Sequence, residues 1–342
     1  MAALREVFNR DVMLALRSEN PIERTPLFQT GAFTTDAQLN GLLSSGISTF
    51  GVPHINPIDT NLEANYGNTI YTDHASPRQI TAGKTQGRAA YLNEGFLESN
   101  LARHLLGQSP LTMIQSMIDN YWAQQAEHRA LATVFGIKNL VMNNAGLKDQ
   151  FVTDVSKTSA ATEASSWSVD AFIDAEATMA RGYRGQGAIV VHPKIAAKMR
   201  KQNLIERVST SANLPPVDTY NGRAVIESTD GTIIGTGVNA QYISYLLGGG
   251  AFAVGTVAGV NDLEIERTAA TGNGAGHTAL WTRRDMLIHP QGFNFIATDA
   301  QLTGGTEREA LSASWTDLQN KDYWTLGGNA EQTSIRILIT NL

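Results

Sequence analysis

The sequence predicts a mixed α+β protein in which helices and antiparallel strands are segregated. Three observations carry that prediction. The stretch 110–135 runs 26 residues without Gly, and its one Pro stands at the first helical position. The segment 262–267 alternates apolar and polar residues with the two-residue period of strands, and Ile335, Ile337 and Ile339 share one face of a further strand. No regular βαβ series accompanies them, so the strands are expected to pair antiparallel, apart from the helices.

The chain in order begins with residues 2–17, where Leu4, Val7, Phe8, Leu14 and Leu16 suit a short amphipathic helix. Pro21 and Pro26 end it, and residues 20–60, rich in Thr, Asn, Gly and Ser, read as an extended arm. A long segment with no core of its own is out of place inside a compact domain and makes sense if it lies on a neighbouring copy. From Gly51 to Phe96 the composition stays polar, with short strands expected at Thr69–Tyr71 and Arg88–Leu92. A lone two-stranded excursion of this kind is marginal in water and gains from a partner subunit. Leu97–Leu106 reads as a short helix stopped at Gly107.

The long helix follows. Ser109 is placed to cap it, Pro110 suits its first turn, and Gly136 offers a left-handed terminus. At about 1.5 Å per residue it spans roughly 39 Å, enough to brace an extended molecule. Ile137–Met142 reads as a strand, Asn143–Ser166 as a polar linker and Ser168–Ala180 as a capped helix. Ala188–Val191 is a buried strand, Lys194–Glu206 a helix, and Thr219–Glu227 and Thr232–Gly235 are strands around a turn at Asp230–Gly231. A Gly-rich apolar stretch leads to Val260. In DLEIER, Leu263 and Ile265 face one way and Glu264 and Glu266 the other. Thr278–His289 is its antiparallel partner across the Gly272–Gly276 turn. Ile335, Ile337 and Ile339 share one face of a terminal strand.

With 342 residues the chain is large enough for two packed units, and its 31 glycines point to many turns. A net charge of -6 argues against a basic surface that grips nucleic acid. The chain has no cysteine, which excludes disulfides and thiolate metal sites and suits a reducing cytoplasm. No apolar run reaches the roughly 20 residues that a membrane helix needs.

The order of parts resembles the HK97-like major capsid proteins of tailed bacteriophages along nearly the whole chain. The resemblance rests on QSPLTMIQSMIDNYWAQQAEHRALATVFGI, on VVHPKIAAKMRKQNLIE with TYNGRAVIESTDG, on DLEIERTAATGNGAGHTALWTRRDMLIHPQGFNF, and on the closing segment with Trp315, Trp324 and Asn341. It implies an N-terminal arm (1–50), an extended loop (51–96), a peripheral domain with the spine helix (97–165) and an axial domain (166–261). Peripheral return strands (262–327) and a C-terminal axial strand (328–342) complete it. The implied function is self-assembly, as hexamers and pentamers, into an icosahedral shell around packaged double-stranded DNA, held without sequence-specific contacts. Because the arm follows Met1 almost at once, a separate scaffolding protein is expected. The resemblance also implies a portal protein and allows a decoration protein. The expected location is the virion, assembled in the host cytoplasm. An encapsulin-type compartment shell is the alternative within the same fold.

Chemistry-bearing patterns are few. Gly235, Gly237 and Ala240 fit a dinucleotide fingerprint with Asp262 downstream, the basis of a second alternative, a nucleotide-dependent enzyme. The late position and missing βαβ series favour a plain turn. Gln124, Glu127 and His128 approach a zinc pattern but lack a ligand at the first position, which favours an exposed helix face. His192 and His289 stand at strand ends before prolines and read as structural. Catalytic residues, metals and cofactors are not expected. Lys84, between glycines of the loop, is where some relatives form an isopeptide link to a neighbour's Asn; an ordinary exposed lysine is the plain reading. Glu98, Arg103, Glu264, Glu266, Arg267, Arg283 and Arg284 are candidates for inter-subunit ion pairs.

Overall fold

The computed structural model describes residues 30–55, 58, 63–80, 82–101, 110–208, 217–229, 231–303 and 312–342. The helix expected at 2–17, the cap at Ser109 and Arg103 lie outside them.

Residues 30–50 are not the extended arm that their polar composition suggests. Helix α1 (Ala37–Ser44) is capped by Asp36, whose side chain accepts from Gln38 N at 2.8 Å. Its Leu39 and Leu43 are buried with Phe50 and Leu287. Asp36 followed by Leu39, Leu42 and Leu43 is a cap and a helical stripe, a local signal outweighed by the Thr, Gly and Ser around it.

Helix α2 (Pro110–Met142) is 33 residues long and absorbs the strand expected at Ile137–Met142. Gly136 does not end it. A Cβ there would lie 2.0 Å from the Leu318 carbonyl oxygen and 2.6 Å from Trp324 Nε1. The glycine therefore serves close packing, and Ile137 and Val141 beyond it are buried in the main core.

Four strands form the sheet beneath the first half of α2: β1 (Phe33–Thr35), β4 (Ala90–Ser99), β12 (Phe252–Thr268) and β13 (His277–Pro290), in the order β1-β12-β13-β4. β1 lies parallel to β12, while β12, β13 and β4 are antiparallel. The expected antiparallel pairing holds, Leu263 lies opposite Thr282 and Ile265 opposite Leu280, and positive φ at Gly272, Asn273, Gly274 and Gly276 makes the turn. β12 begins earlier than expected, so the apolar Gly-rich stretch before Val260 is strand as well. Between the pairs Ala258–Arg284 and Leu263–Thr282 it carries a bulge, with Asn261 at φ 51°. Leu97–Ser99, expected as helix, end β4. Leu111, Ile118, Trp122 and Ala126 of α2 close on Leu280 and Met286 of β13.

A two-stranded hairpin, β2 (Thr49–Ile55) and β3 (Ala82–Arg88), projects from this sheet. Thr69–Tyr71 is not a strand, and the strand expected at Arg88–Leu92 is split between β3 and β4.

The larger sheet has eight strands: β5 (Val152–Asp154), β6 (Ala188–Val191), β7 (Glu206–Val208), β8 (Val217–Tyr220), β9 (Arg223–Glu227), β10 (Ile233–Ile234), β11 (Gln241–Leu247) and β16 (Ile335–Thr340). Its order is β5-β16-β11-β6-β9-β8-β7, with β10 beside β11. The linker expected at 143–166 in fact holds β5 and helix α3 (Ala145–Phe151). Helix α4 (Val169–Ala177) is capped by Ser168 as expected. Helix α5 (Pro193–Lys201) stops short of Glu206, which enters β7. The single strand expected at Thr219–Glu227 is a hairpin, because Asn221 (φ 48°) and Gly222 (φ 76°) make the turn that Asn-Gly favours.

The C-terminal strand shows how the two cores meet. Ile335, Ile337 and Ile339 join α2 and Phe151 on one face of the sheet, while Leu338 joins α4 and α5 on the other. β14 (Phe293–Phe295), helix α6 (Trp315–Gln319) and β15 (Trp324–Leu326) seal the flank of α2. No helix among the described residues is long and apolar enough to cross a membrane.

Candidate assembly surfaces

The β2–β3 hairpin is clamped at its stem, and the described residues beyond it stand in solvent. Asn294 ties the stem to β14: its Oδ1 accepts from Gln86 N at 2.9 Å and its Nδ2 donates to the Lys84 carbonyl at 3.0 Å. Arg88 donates to the Ala297 carbonyl at 3.3 Å and pairs with Asp299. Phe50 meets the His289 ring edge-on at 5.3 Å. Beyond the stem, every described residue from 63 to 80 is exposed. Tyr71 is 95% exposed, Ile58 85% and Ile80 81%, with Tyr66 and Ile70 also in solvent. Clustered large apolar side chains on a projecting ribbon mark a surface that another protein covers.

The second surface is the face of β12, β13 and β4 turned away from α2. Alternation along β13 sends Thr282 inward, where it accepts from Trp122 Nε1 at 3.0 Å, and Trp281 and Arg283 outward. Trp281 lies over Gly95, where a Cβ would approach its ring to 2.6 Å, and its Nε1 donates to Glu266 at 3.0 Å. Arg283 donates to Glu264 at 3.0 Å and to the Asn261 carbonyl at 2.6 Å, which fastens the bulge. Arg267, opposite Thr278 near the end of β12, is exposed but on the other face, that of Leu263 and Ile265.

The candidate charges therefore divide. Glu264, Glu266 and Arg283 share the outer face, though Glu264 and Arg283 already pair within the chain, while Arg267, opposite Thr278, stands on the face of Leu263 and Ile265. Glu98 and Arg284 do not belong with them. Glu98 is 4% exposed and accepts from Leu111 N at 2.9 Å, filling one of the donor positions that a helix start leaves open. Arg284 is buried and faces Asp119 of α2 at 3.9 Å. Both are committed to the chain's own interior, because their strand positions face the helix. Lys84 is exposed, in the paired stem opposite Pro53 rather than at the loop tip.

The remaining patterns resolve into local structure. Gly235 precedes and Gly237 opens a single 3-10 turn that leads into strand β11, so the fingerprint has no α-helix start on which a pyrophosphate could sit. His192 caps α5, its Nδ1 accepting from Lys194 N at 3.1 Å. His128 is half-buried, tilted against Trp315 at 5.1 Å, while Gln124 is exposed, so the helix face expected in solvent is covered only in part. Among the described residues no group of three or more His, Asp or Glu could hold a metal ion.

The sequence reading missed the buried charges. Arg223 is fully buried and pairs with Glu176 at 2.9 Å while also donating to the Leu247 and Gln186 carbonyls. Glu176 in turn accepts from Gly185 N and Asn221 Nδ2. This network joins α4 to the β8–β9 hairpin. Arg336, 1% exposed, donates to the Thr178, Ala330, Thr333 and Ile335 carbonyls, and burial lowers its pKa to about 10. Its place in the alternation suggested a solvent face, but β16 is covered on both sides.

No protein-family model matches the chain. The sequence is 29% identical over 299 residues to the major capsid protein of Bacillus phage SPP1, covering 84% of this chain and 85% of that relative. Among solved structures, the capsid asymmetric unit of cyanophage Pam1 shares the fold with a TM-score of 0.56, over 94% of this chain and 93% of that one, at 7% identity.

Proposed function

We infer that this chain is a major capsid protein with the HK97-like α+β fold, a subunit that assembles with copies of itself into the shell of a tailed bacteriophage. The observation that carries the reading is the similarity to a phage major capsid protein along most of both chains. The geometry supports it physically. A body with two filled cores carries a ribbon whose apolar side chains it leaves in solvent, and in a closed shell a second copy covers them.

The finer parts of the reading are our proposal. The eight-stranded sheet is the axial unit around which hexamers and pentamers close. The four-stranded sheet with the first half of α2 is the peripheral unit. The outer face bearing Glu264, Glu266 and Arg283, together with the exposed Arg267 near the end of β12 and Lys84 in the hairpin stem, meets neighbouring subunits. Exposed ion pairs there contribute little each, so they set register more than strength. The role is structural, not catalytic. Assembly takes place in the host cytoplasm with a separate scaffolding protein and a portal, and DNA is enclosed without sequence-specific binding.

Negative-stain electron microscopy of the chain expressed with its neighbouring genes tests the reading. Closed shells of uniform diameter are expected. A monodisperse monomer under the same conditions would overturn it.

A further inference from the structure

Where α2, β13, β14 and β15 meet, the protein forms a narrow, partly open cavity of about 20 Å3, room for one guest of water or halide size. Arg88, Arg129, Thr133, His289, Phe295 and Trp324 line it. The polar groups are nearly all donors. Arg129 is 7% exposed, and its guanidinium makes one hydrogen bond, from Nη1 to the Ala313 carbonyl at 3.0 Å. Asp317 acts on it only at longer range, and its oxygens already accept from Thr303 and Ser314. His289 is 6% exposed, and its Nε2 has no hydrogen-bond partner. The Thr133 hydroxyl donates back to the Arg129 carbonyl within the helix.

A buried guanidinium without a carboxylate in contact and an unpartnered imidazole nitrogen in the same enclosure both call for an acceptor. We propose that this cavity is a binding site for one small monovalent anion, chloride in an ordinary buffer, held between Arg129 and His289. A neutral His289 protonated on Nε2 donates one hydrogen bond, and the free N–H groups of Arg129 donate the others. The apolar walls of Phe295 and Trp324 exclude larger or strongly hydrated anions. The bound ion links the spine helix to β13 and thus to the base of the hairpin.

Two measurements on the full chain test this. Anomalous diffraction from crystals grown in sodium bromide is expected to show a bromide peak between Arg129 and His289. Thermal unfolding at constant ionic strength is expected to show a saturable rise in Tm with chloride or bromide but not with gluconate. His289→Phe, checked for native circular dichroism, should weaken the apparent halide affinity about tenfold, the loss of one such hydrogen bond. An ordered water without anomalous signal, or identical Tm values in all three salts, would overturn the anion assignment. The wild-type diffraction result decides the matter even if the variant does not fold.

Discussion

Gly136 shows how a single residue type can carry two opposite meanings. Glycine after a helical run is the commonest helix stop, yet here it sits inside the helix because α6 and β15 press against the backbone. Gly136→Ala should therefore destabilise the protein by about 1–3 kcal/mol in urea unfolding, although alanine favours helix, because the neighbour in the way is a backbone carbonyl. An unchanged or raised midpoint would show that α6 moves aside freely. His289 makes a second residue-scale prediction. Burial lowers its pKa from 6.5 to about 4, so the folded state prefers the neutral ring. That contribution is complete above pH 6.5 and is lost as pH falls through the window down to about 4. In halide-free buffer, the stability of wild type relative to His289→Phe should drop by about 2–3 kcal/mol between pH 7.5 and pH 4.5. A flat difference would contradict it.

At the scale of elements, the chain separates those that fold on themselves from the one that does not. The stem of the β2–β3 hairpin is held by Asn294, Arg88 and Phe50, but the described residues beyond it, 58 and 63–80, are all exposed. Replacing Ile70 and Tyr71 with Ser should leave chemical stability within about 0.5 kcal/mol, as exposed substitutions do. The same double variant should fail to form closed shells in electron micrographs. Normal shells would move the subunit interface elsewhere. Two misread elements had local signals in plain view. Asp36 and the leucines after it specified α1, and Asn221-Gly222 specified the β8–β9 turn. Both were submerged in composition, since Thr, Gly and Ser around them resemble an arm and the apolar residues on each side of Asn-Gly resemble one strand.

For the whole molecule, the fold class, the long helix, the β12–β13 pair and the terminal strand were legible because each has an internal period that one segment reveals by itself. The alternation that separates Leu263 and Ile265 from Glu264 and Glu266 is local, and so is the cap at Ser168. The sequence by itself determined these elements; that the loop leaves Ile58, Tyr66, Ile70, Tyr71 and Ile80 in solvent came from the structure. Only the tertiary structure decided which polar residues are inside. Glu98, Arg223, Arg284 and Arg336 all stand at positions that alternation or composition would give to solvent, and each is buried because another layer covers that face. Burial of a charge depends on what arrives from elsewhere along the chain to pair with it or cover it: Glu176 for Arg223, the start of α2 for Glu98, and Thr178 for Arg336. No periodicity within one segment encodes that arrival, so the same physics that made the elements readable left their meeting points unreadable.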